Sequence, residues 1–276
     1  TPPDPPPPPV RGPAPVPSPP DHTHMLEREH PRPVALLPMG HGKATTLDLV
    51  FMKALTDALR EEAESDAGAV VLTGNGKIFS GGVDLFQMVD GGADYVAEMV
   101  PALSELLYTA FTLPKPFVTA ISGHAIAAGC VLALTSDYRI MSEEAGRIGV
   151  PELDFGVPFP TTLTEVLRYV VPREHQHEVI FRGGTYPSDQ ALEMGMVDEL
   201  IPSHSLLHRA VEEAMHMARV PSPIFQVTKA QVRNSVVTSI EKGREMYDQT
   251  VLDILSADST MNAIRDYMDR TFGRQG

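Results

Sequence analysis

Two glycine-bearing turns carry the clearest chemical signal in this chain. Residues 79–85 read FSGGVDL and residues 123–130 read GHAIAAGC, and each turn follows a β-branched run and precedes an apolar segment. Two such turns can direct two backbone N–H groups at one point, as in an oxyanion hole. A helix that starts at Ala128 would leave its first N–H groups unpaired, with roughly half a positive charge at that end. The pattern therefore predicts a site for a developing negative oxygen.

Glu152 is the candidate acid or base. It lies in IGVPELDFG, residues 148–156, where its neighbours are mostly apolar. Such surroundings disfavour the ionised carboxylate and move its pKa toward the range that is useful for proton transfer. An exposed loop acid between apolar residues would show the same pattern. Asp154 could act as a second acid, but the spacing alone does not place it relative to Glu152, and we interpret it as structural.

Short apolar strands alternate with amphipathic helices around these residues. Strands are predicted at 34–37, 69–73 and 116–121, and helices at 46–64 and 94–112. Helical spacing then dominates the C-terminal part, at 187–195, 206–220, 224–239 and 240–267. The alternation predicts an α/β protein with crossover connections rather than an antiparallel sandwich.

Composition and charge exclude several classes of partner. The 276 residues are 42% hydrophobic and 21% charged, as in ordinary globular proteins, and the formal net charge is -14. Nucleic acids and anionic membranes require a positive face, so neither is expected as a partner. The sequence has no uninterrupted apolar stretch of about 18 residues, so no membrane span is expected either.

The N-terminus differs in composition from the rest of the chain. Residues 1–31 are rich in proline and poor in apolar side chains, which predicts a disordered tail with no part in activity. Residues 32–200 are assigned to the core with the site, and residues 201–276 to a C-terminal helical region. Cys130 is the single cysteine, which favours a reducing, cytoplasmic compartment. The histidines lack a third ligand nearby, so no metal is predicted.

Three motifs together make the chain resemble a known family. They are the two turns, the second preceded by Lys115-Pro116, and SDYRI at residues 136–140. In this order and spacing they resemble the crotonase (enoyl-CoA hydratase/isomerase) superfamily, from about Val34 to the C-terminus. The resemblance implies a crotonase-like spiral of ββα units with two nearly perpendicular sheets. It also implies a C-terminal helical region that builds a homotrimer, or a hexamer of two trimers, and helps to cover the acyl pocket.

The resemblance also implies roles for individual residues. The N–H groups of Val83 and Ala128 would hold the thioester oxygen of an acyl-CoA, and Glu152 would be the catalytic acid/base. Coenzyme A is then part of the substrate, and no separate cofactor is expected.

Substrate and CoA contacts are expected close to the first two motifs. The residues assigned to them are Lys77, Gly81, Gly82, Asp84, Leu85 and His124, and the loop at 43–45 offers Lys43 as a further candidate. A lysine is a suitable point charge for a phosphate, although a solvated surface position is the alternative, and a glycine lets the backbone approach a thioester. The methionine-rich segment 86–99, which contains Gly91 and Gly92, is the predicted lid over the acyl chain.

One position departs from the hydratase pattern. Enoyl-CoA hydratases carry a second glutamate in a Gly-Cys-Glu sequence, whereas this chain has Gly129-Cys130-Val131. Hydration uses two carboxylates, but one is enough to move a double bond. The lost glutamate and the stretch ALTSDYRI, residues 133–140, resemble the mitochondrial-type 3,2-trans-enoyl-CoA isomerases. We therefore expect conversion of a 3-enoyl-CoA to a 2-trans-enoyl-CoA. The alternatives are a hydratase, another lyase or hydrolase of the superfamily, and a non-catalytic acyl-CoA-binding protein.

Overall fold

The computed structural model describes residues 34–144 and 146–273, so the predicted tail at 1–31 lies outside the described residues. The strands are β1 (Val34–Pro38), β2 (Ala69–Thr73), β3 (Ile78–Ser80), β4 (Phe117–Ile121), β5 (His124–Ile126), β6 (Tyr138–Ser142), β7 (Ile148–Gly149), β8 (Thr185–Tyr186) and β9 (Glu199–Ile201). The helices are α1 (Leu49–Glu64), α2 (Leu85–Phe111), α3 (Ala128–Leu134), α4 (Thr161–Val170), α5 (Arg173–Gln176), α6 (Ser188–Glu193), α7 (Leu206–Met217), α8 (Ser222–Leu255) and α9 (Asp258–Phe272).

A parallel five-stranded sheet forms the centre of the fold. Its spatial order is β1-β2-β4-β6-β9, and every neighbouring pair is parallel. All residues of β2 and β4 are buried, as is usual for parallel strands that are covered on both faces. One face packs against α7, and the other packs against α1 and α2 in the main core. The predicted α/β class is confirmed.

A second, four-stranded sheet carries the two glycine turns. Its order is β3-β5-β7-β8, with β8 antiparallel to β7 and the other pairs parallel. Ser80 near the end of β3 is opposite Ala125 of β5. Since parallel neighbours end at the same edge of a sheet, the turns that follow β3 and β5 emerge side by side.

Helices α1 and α2 each begin directly after a capping aspartate. Neither helix begins at the residue that the sequence predicts. The Asp48 carboxylate accepts a hydrogen bond from the Phe51 N–H, so α1 starts at Leu49 rather than at 46. Asp84 caps α2 in the same way, well before the predicted start at 94. The non-helical backbone of Gly92, with φ 59° and ψ -144°, interrupts α2 and hides its first part from a periodicity argument.

The helical C-terminal region is divided differently from the prediction. A break between residues 239 and 240 was expected, but α8 is continuous through it and ends at Leu255. Neither Gly nor Pro occurs at the expected break, and Ile240 is fully buried in the core. Asp137, from the SDYRI motif, ties α8 to the core because its carboxylate accepts hydrogen bonds from both Lys229 and Arg233 at 2.7 Å. The assignment of 201–276 as a separate region stays a prediction.

Candidate active site

The two glycine turns lie in contact at one edge of the second sheet. Gly82 has φ +85°, and a Cβ at this position would lie 2.8 Å from the Ala127 Cβ and 3.3 Å from the Ala128 nitrogen. Only a residue without a side chain fits so close to the second turn. Gly82 therefore allows the turns to approach each other.

Two backbone N–H groups are left free by this arrangement. Leu47 forms a parallel β-bridge with Val83, but its hydrogen bonds go to the residues on either side of Val83. The Leu47 N–H donates to the Gly82 oxygen at 2.8 Å, and the Asp84 N–H donates to the Leu47 oxygen at 3.3 Å. The Val83 N–H thus faces away from Leu47. Within the described ranges, neither the Val83 nor the Ala128 N–H donates a hydrogen bond, and both residues line the same cavity.

The second donor depends on a strained backbone. Ala127 has φ 57° and ψ -132°, which is unusual for a residue with a side chain, and its N–H donates to the Gly149 oxygen at 2.8 Å. This turn starts α3 at Ala128 without a side-chain cap. The positive end of α3 is therefore directed at the cavity without a competing carboxylate.

Glu152 projects into the same cavity from a short helical turn. It is the first residue of a 3-10 turn, Glu152–Phe155, which Gly156 closes with φ 77°. The residue is 7% exposed, and its Oε2 atom is buried with no hydrogen-bond partner among the described residues. Burial raises the pKa of this carboxyl to about 8. Glu152 is thus suited to take up and return a proton near neutral pH.

The cavity is a largely apolar chamber of about 500 Å³. Helix α2 contributes Met88, Met99, Val100 and Leu103, which includes both ends of the methionine-rich part of the predicted lid. Leu255 at the end of α8 and Tyr267 of α9 close another side. The Tyr267 ring stacks on Phe155, with 4.3 Å between the ring centroids. Such a chamber suits an apolar chain attached to a group that needs two hydrogen-bond donors.

Most of the residues assigned to catalysis and ligand contacts meet at this cavity. Those that line it are Gly81, Val83, Asp84, Leu85, Ala128 and Glu152. The Asp84 carboxylate, however, accepts hydrogen bonds from the Phe86 and Gln87 N–H groups at 3.0 and 3.1 Å, so it is engaged as the cap of α2. Its contact with a ligand would be secondary to that role.

Lys77 and His124 are not brought to the cavity. They flank the starts of β3 and β5, where the His124 N–H donates to the Lys77 oxygen at 3.0 Å, whereas the cavity lies past the ends of these strands. A three-residue strand spans roughly 10 Å, so closeness to Val83 in sequence does not become closeness in space. Lys43 of the loop after β1 lines the cavity instead.

Neither Val131 nor Asp154 is among the residues that line the cavity. Val131 is fully buried within α3. Asp154 is exposed, because residues two apart in a 3-10 turn point in different directions, and its carboxyl lies beside Gly183. Cys130 is buried, and this burial raises the pKa of its thiol.

The family resemblance implied that the C-terminal helical region helps to cover the pocket, but the sequence analysis named none of the individual residues in the distant parts of the wall. Leu163 of α4, Leu255, Tyr267 and Thr271 line the cavity, yet no local motif marks them. Their only signal is apolar helical spacing, which is shared by residues elsewhere in the core.

None of the helices in the two described ranges is both long and apolar enough to cross a membrane.

Comparison with known proteins shows the family of this chain. A model of the family described as enoyl-CoA hydratase/isomerase matches residues 31–272, and the chain belongs to this family, within the crotonase superfamily. The mitochondrial enoyl-CoA delta isomerase 1 of Rattus norvegicus is 26% identical over 255 residues, covering 91% of this chain and 88% of the relative. The 2,3-dehydroadipyl-CoA hydratase of Escherichia coli is 27% identical over 194 residues, covering 70% of this chain and 75% of the relative.

Solved structures give the same fold. The crystal structure of human mitochondrial delta3-delta2-enoyl-CoA isomerase superposes with a TM-score of 0.86 at 26% identity, covering 91% of this chain and all of that one. The predicted crotonase fold is therefore confirmed. The relatives include isomerases and hydratases, so family membership alone does not assign the reaction.

Proposed function

We propose that this protein is an enoyl-CoA isomerase that converts a 3-enoyl-CoA to a 2-trans-enoyl-CoA. The observation that carries the proposal is the acid content of the cavity wall. Among the described residues that line it, Glu152 and Asp84 are the acids, and the Asp84 carboxylate already caps α2. One available carboxyl is sufficient for a proton shuttle, whereas hydration in this family uses two.

The proposed reaction uses Glu152 twice. Its carboxylate removes a proton from C2 of the bound 3-enoyl-CoA, and the electron pair forms a C1–C2 double bond as the thioester oxygen becomes negative. The Val83 and Ala128 N–H groups stabilise this dienolate oxygen, at about 3 to 4 kcal/mol per donor. The protonated Glu152 then returns the proton to C4. The oxyanion re-forms the C1–O double bond, the electron pair of the C1–C2 double bond moves to C2–C3, and the electron pair of the C3–C4 double bond forms the new C4–H bond. The pKa of about 8 keeps both proton transfers accessible.

The wall beside Glu152 favours isomerisation over hydration. Pro151, Phe155 and Phe159, which are close to Glu152 in sequence, line the same cavity. These side chains give an attacking water no second hydrogen-bond acceptor. Val131, at the position of the second hydratase glutamate, is buried away from the cavity lining.

A direct assay separates isomerase from hydratase. Purified protein is given 3-hexenoyl-CoA and, separately, crotonyl-CoA. We expect rapid formation of 2-trans-hexenoyl-CoA and little hydration. Rapid hydration of crotonyl-CoA without isomerisation would reject the proposal and favour the hydratase alternative. Glu152→Gln should lower kcat by at least about 100-fold, whereas the exposed Asp154→Asn, the same chemical change two residues away, should keep kcat close to wild type.

A non-catalytic acyl-CoA-binding protein is the alternative from another class. It would bind the acyl-CoA and leave the absorbance of the substrate unchanged for hours. We favour an enzyme, because a pure binder has no need for a buried carboxyl with one unpaired oxygen in the same cavity as two free N–H groups.

We further propose that Lys43 contacts the CoA portion of the substrate. It is exposed at the cavity wall, where its charge can approach a phosphate. Lys43→Ala should raise KM for 3-hexenoyl-CoA with little change in kcat. Lys77→Ala is the matched control, and an equal rise in KM for Lys77→Ala would restore the original assignment of Lys77.

The expected assembly is a homotrimer or a hexamer. Exposed apolar side chains on α8, at Ile224, Val227 and Val232, are consistent with burial against another copy. Light scattering should report a trimer or hexamer, also after deletion of residues 1–31. A stable, active monomer would contradict this assembly.

A further inference from the structure

A loop between β1 and α1, residues 41–48, braces the first glycine turn. Its hydrogen bonds to that turn include Gly81 N–H to the Ala44 oxygen at 2.9 Å, Ser80 Oγ to the Thr45 oxygen at 2.8 Å, Leu47 N–H to the Gly82 oxygen at 2.8 Å, and Asp84 N–H to the Leu47 oxygen at 3.3 Å. Each residue from 80 to 84 except Val83 takes part. The loop therefore holds both sides of the Val83 N–H and leaves that group free.

The loop has a backbone that must be held from outside. Gly42 has φ 59° and Thr45, which carries a β-branched side chain, has φ 47°. A non-glycine residue in this region is strained and persists only when its surroundings fix it. The loop is also short, so movement at its ends would be transmitted to the oxygens of Ala44, Thr45 and Leu47.

One side-chain pair closes the loop at its two ends. The His41 Nε2 lies 2.6 Å from the Asp48 Oδ2, although this pair is seven residues apart. The His41 ring stacks on Phe51, with 4.9 Å between the centroids and 10° between the planes. Asp48 is buried, and its Oδ1 accepts from the Phe51 N–H at 2.7 Å as the cap of α1. The loop is thus fastened to the first turn of a rigid helix.

The same carboxylate reaches the helix that follows the glycine turn. Gln87, in the first turn of α2, has its Nε2 3.3 Å from the Asp48 Oδ2 and 3.4 Å from the Asp84 Oδ2. An amide group has two N–H donors, so it can serve two carboxylates. Asp48 therefore connects loop 41–48, which holds the residues before Val83, to the helix that follows Val83.

We propose that His41 is a positioning residue for the Val83 donor. By closing the loop on Asp48, it keeps the Val83 N–H aimed at the thioester oxygen. His41 is not among the residues that line the cavity, so it acts through the loop. The proposal rests on the proposed function only in that an acyl thioester occupies the cavity.

The test uses a variant that lacks the ring nitrogen bonded to Asp48 but keeps a flat aromatic ring. His41→Phe can still stack on Phe51 but cannot bond to Asp48. Hexanoyl-CoA with a ¹³C-labelled thioester carbonyl is a non-reacting probe, and its C=O stretch, measured by infrared difference spectroscopy, reports hydrogen bonding to the oxygen. We expect His41→Phe to lose about half or more of the shift to lower frequency, and kcat on 3-hexenoyl-CoA to fall roughly 10- to 100-fold with KM changed less than about threefold.

A matched control and a second variant complete the design. His208→Phe makes the same change on the exposed surface of α7, where His208 pairs with Glu212, and should leave the carbonyl shift and kcat unchanged. Asp48→Asn keeps an oxygen for the Phe51 N–H and weakens the bond to His41. It should give the result expected for His41→Phe, and it replaces that variant if His41→Phe does not fold.

The outcomes distinguish this proposal from the proposed reaction. A folded His41→Phe with the wild-type carbonyl shift and kcat overturns the positioning role, even if its Tm is lower. Failure of both variants to fold also overturns it, because the pair would then serve the fold as a whole. If the wild type does not isomerise but its carbonyl shift depends on His41, the proposed reaction fails and the positioning role stands. An unshifted carbonyl in the wild type overturns both.

Discussion

The two turns that form the candidate oxyanion hole are built in different ways. The first turn is held by other parts of the chain: loop 41–48 bonds to it on both sides of Val83, and Asp84 caps the helix that follows. The second turn has no side-chain cap and is held by backbone bonds to neighbouring strands: the Ala125 N–H donates to the Arg147 oxygen at 2.9 Å, and the N–H of the strained Ala127 donates to the Gly149 oxygen at 2.8 Å.

The two turns also differ in the electrostatics of the helices that follow them, because the N-terminus of α2 is capped by a carboxylate and that of α3 is not. Asp84 occupies the first N–H groups of α2, so the positive end of that helix is largely neutralised, and the first turn contributes mainly the placed Val83 N–H. The first turn of α3 carries no acid and no cap, so its positive end stays available to a negative oxygen. In the candidate oxyanion hole, the first turn would thus contribute an N–H group held in position, and the second would add the positive electrostatic potential of a helix N-terminus.

The largest expected effect comes from forcing the two turns apart. In Gly82→Ala the new Cβ would meet the Ala127 Cβ at 2.8 Å and the Ile126 oxygen at 2.9 Å, at a φ of +85°. Displacement of a donor should lower kcat by about 100- to 1000-fold. Gly76→Ala is the control, since Gly76 also has a positive φ, +63°, but has open space around its Cβ position. Equal losses of kcat in both variants would point to backbone strain rather than to contact between the turns.

The pH dependence of kcat/KM distinguishes the contribution of Glu152 from that of the two turns. Backbone N–H groups do not titrate in this range, whereas the Glu152 carboxyl has its pKa raised to about 8 by burial. The base must be ionised, so kcat/KM should rise about tenfold per pH unit below the pKa and level off above it. Gly82→Ala should show the same midpoint at a lower plateau. A profile that is flat between about pH 6 and 8 would contradict the raised pKa.

Removing the Asp84 cap tests how far the first turn and the helix α2 that follows it depend on this side chain. Asp84→Ala leaves the Phe86 and Gln87 N–H groups without their acceptor and should lower the free energy of unfolding by about 1 kcal/mol. Asp84→Asn keeps an oxygen acceptor and should lose much less. Denaturant unfolding measures both. An equal loss for Asn would mean that the charge, rather than the cap, stabilises α2.

The smallest effect is expected at the strained residue of the second turn. Ala127→Gly relieves a φ of 57° and should change the free energy of unfolding by up to about 1 kcal/mol in the stabilising direction, with kcat nearly unchanged. Ala125→Gly, in the adjacent strand β5, is the control and should destabilise by a similar amount, because glycine weakens a strand interior. If Ala127→Gly destabilises as Ala125→Gly does, the second turn is not strained.

Local patterns in the sequence were sufficient to identify the central parts of the site. The glycine turns, the strands before them and the apolar setting of Glu152 are short-range features, since close backbone approach requires glycine and buried parallel strands require β-branched residues. The alternation of strands and helices predicted the α/β class, and the resemblance of the motifs to the crotonase superfamily implied its fold; both are confirmed. The roles of Val83, Ala128 and Glu152 stay predictions, although the three residues do line one cavity.

Only the tertiary structure decided which other residues share that cavity. Strand direction places Lys77 at the end of β3 remote from the cavity and brings Lys43 to it from a different loop. The cap of α2 engages Asp84, and α9 carries Tyr267 onto Phe155 from more than a hundred residues along the chain. These contacts depend on strand pairing and helix packing, which join residues distant in sequence, and a local pattern contains no record of its distant partner.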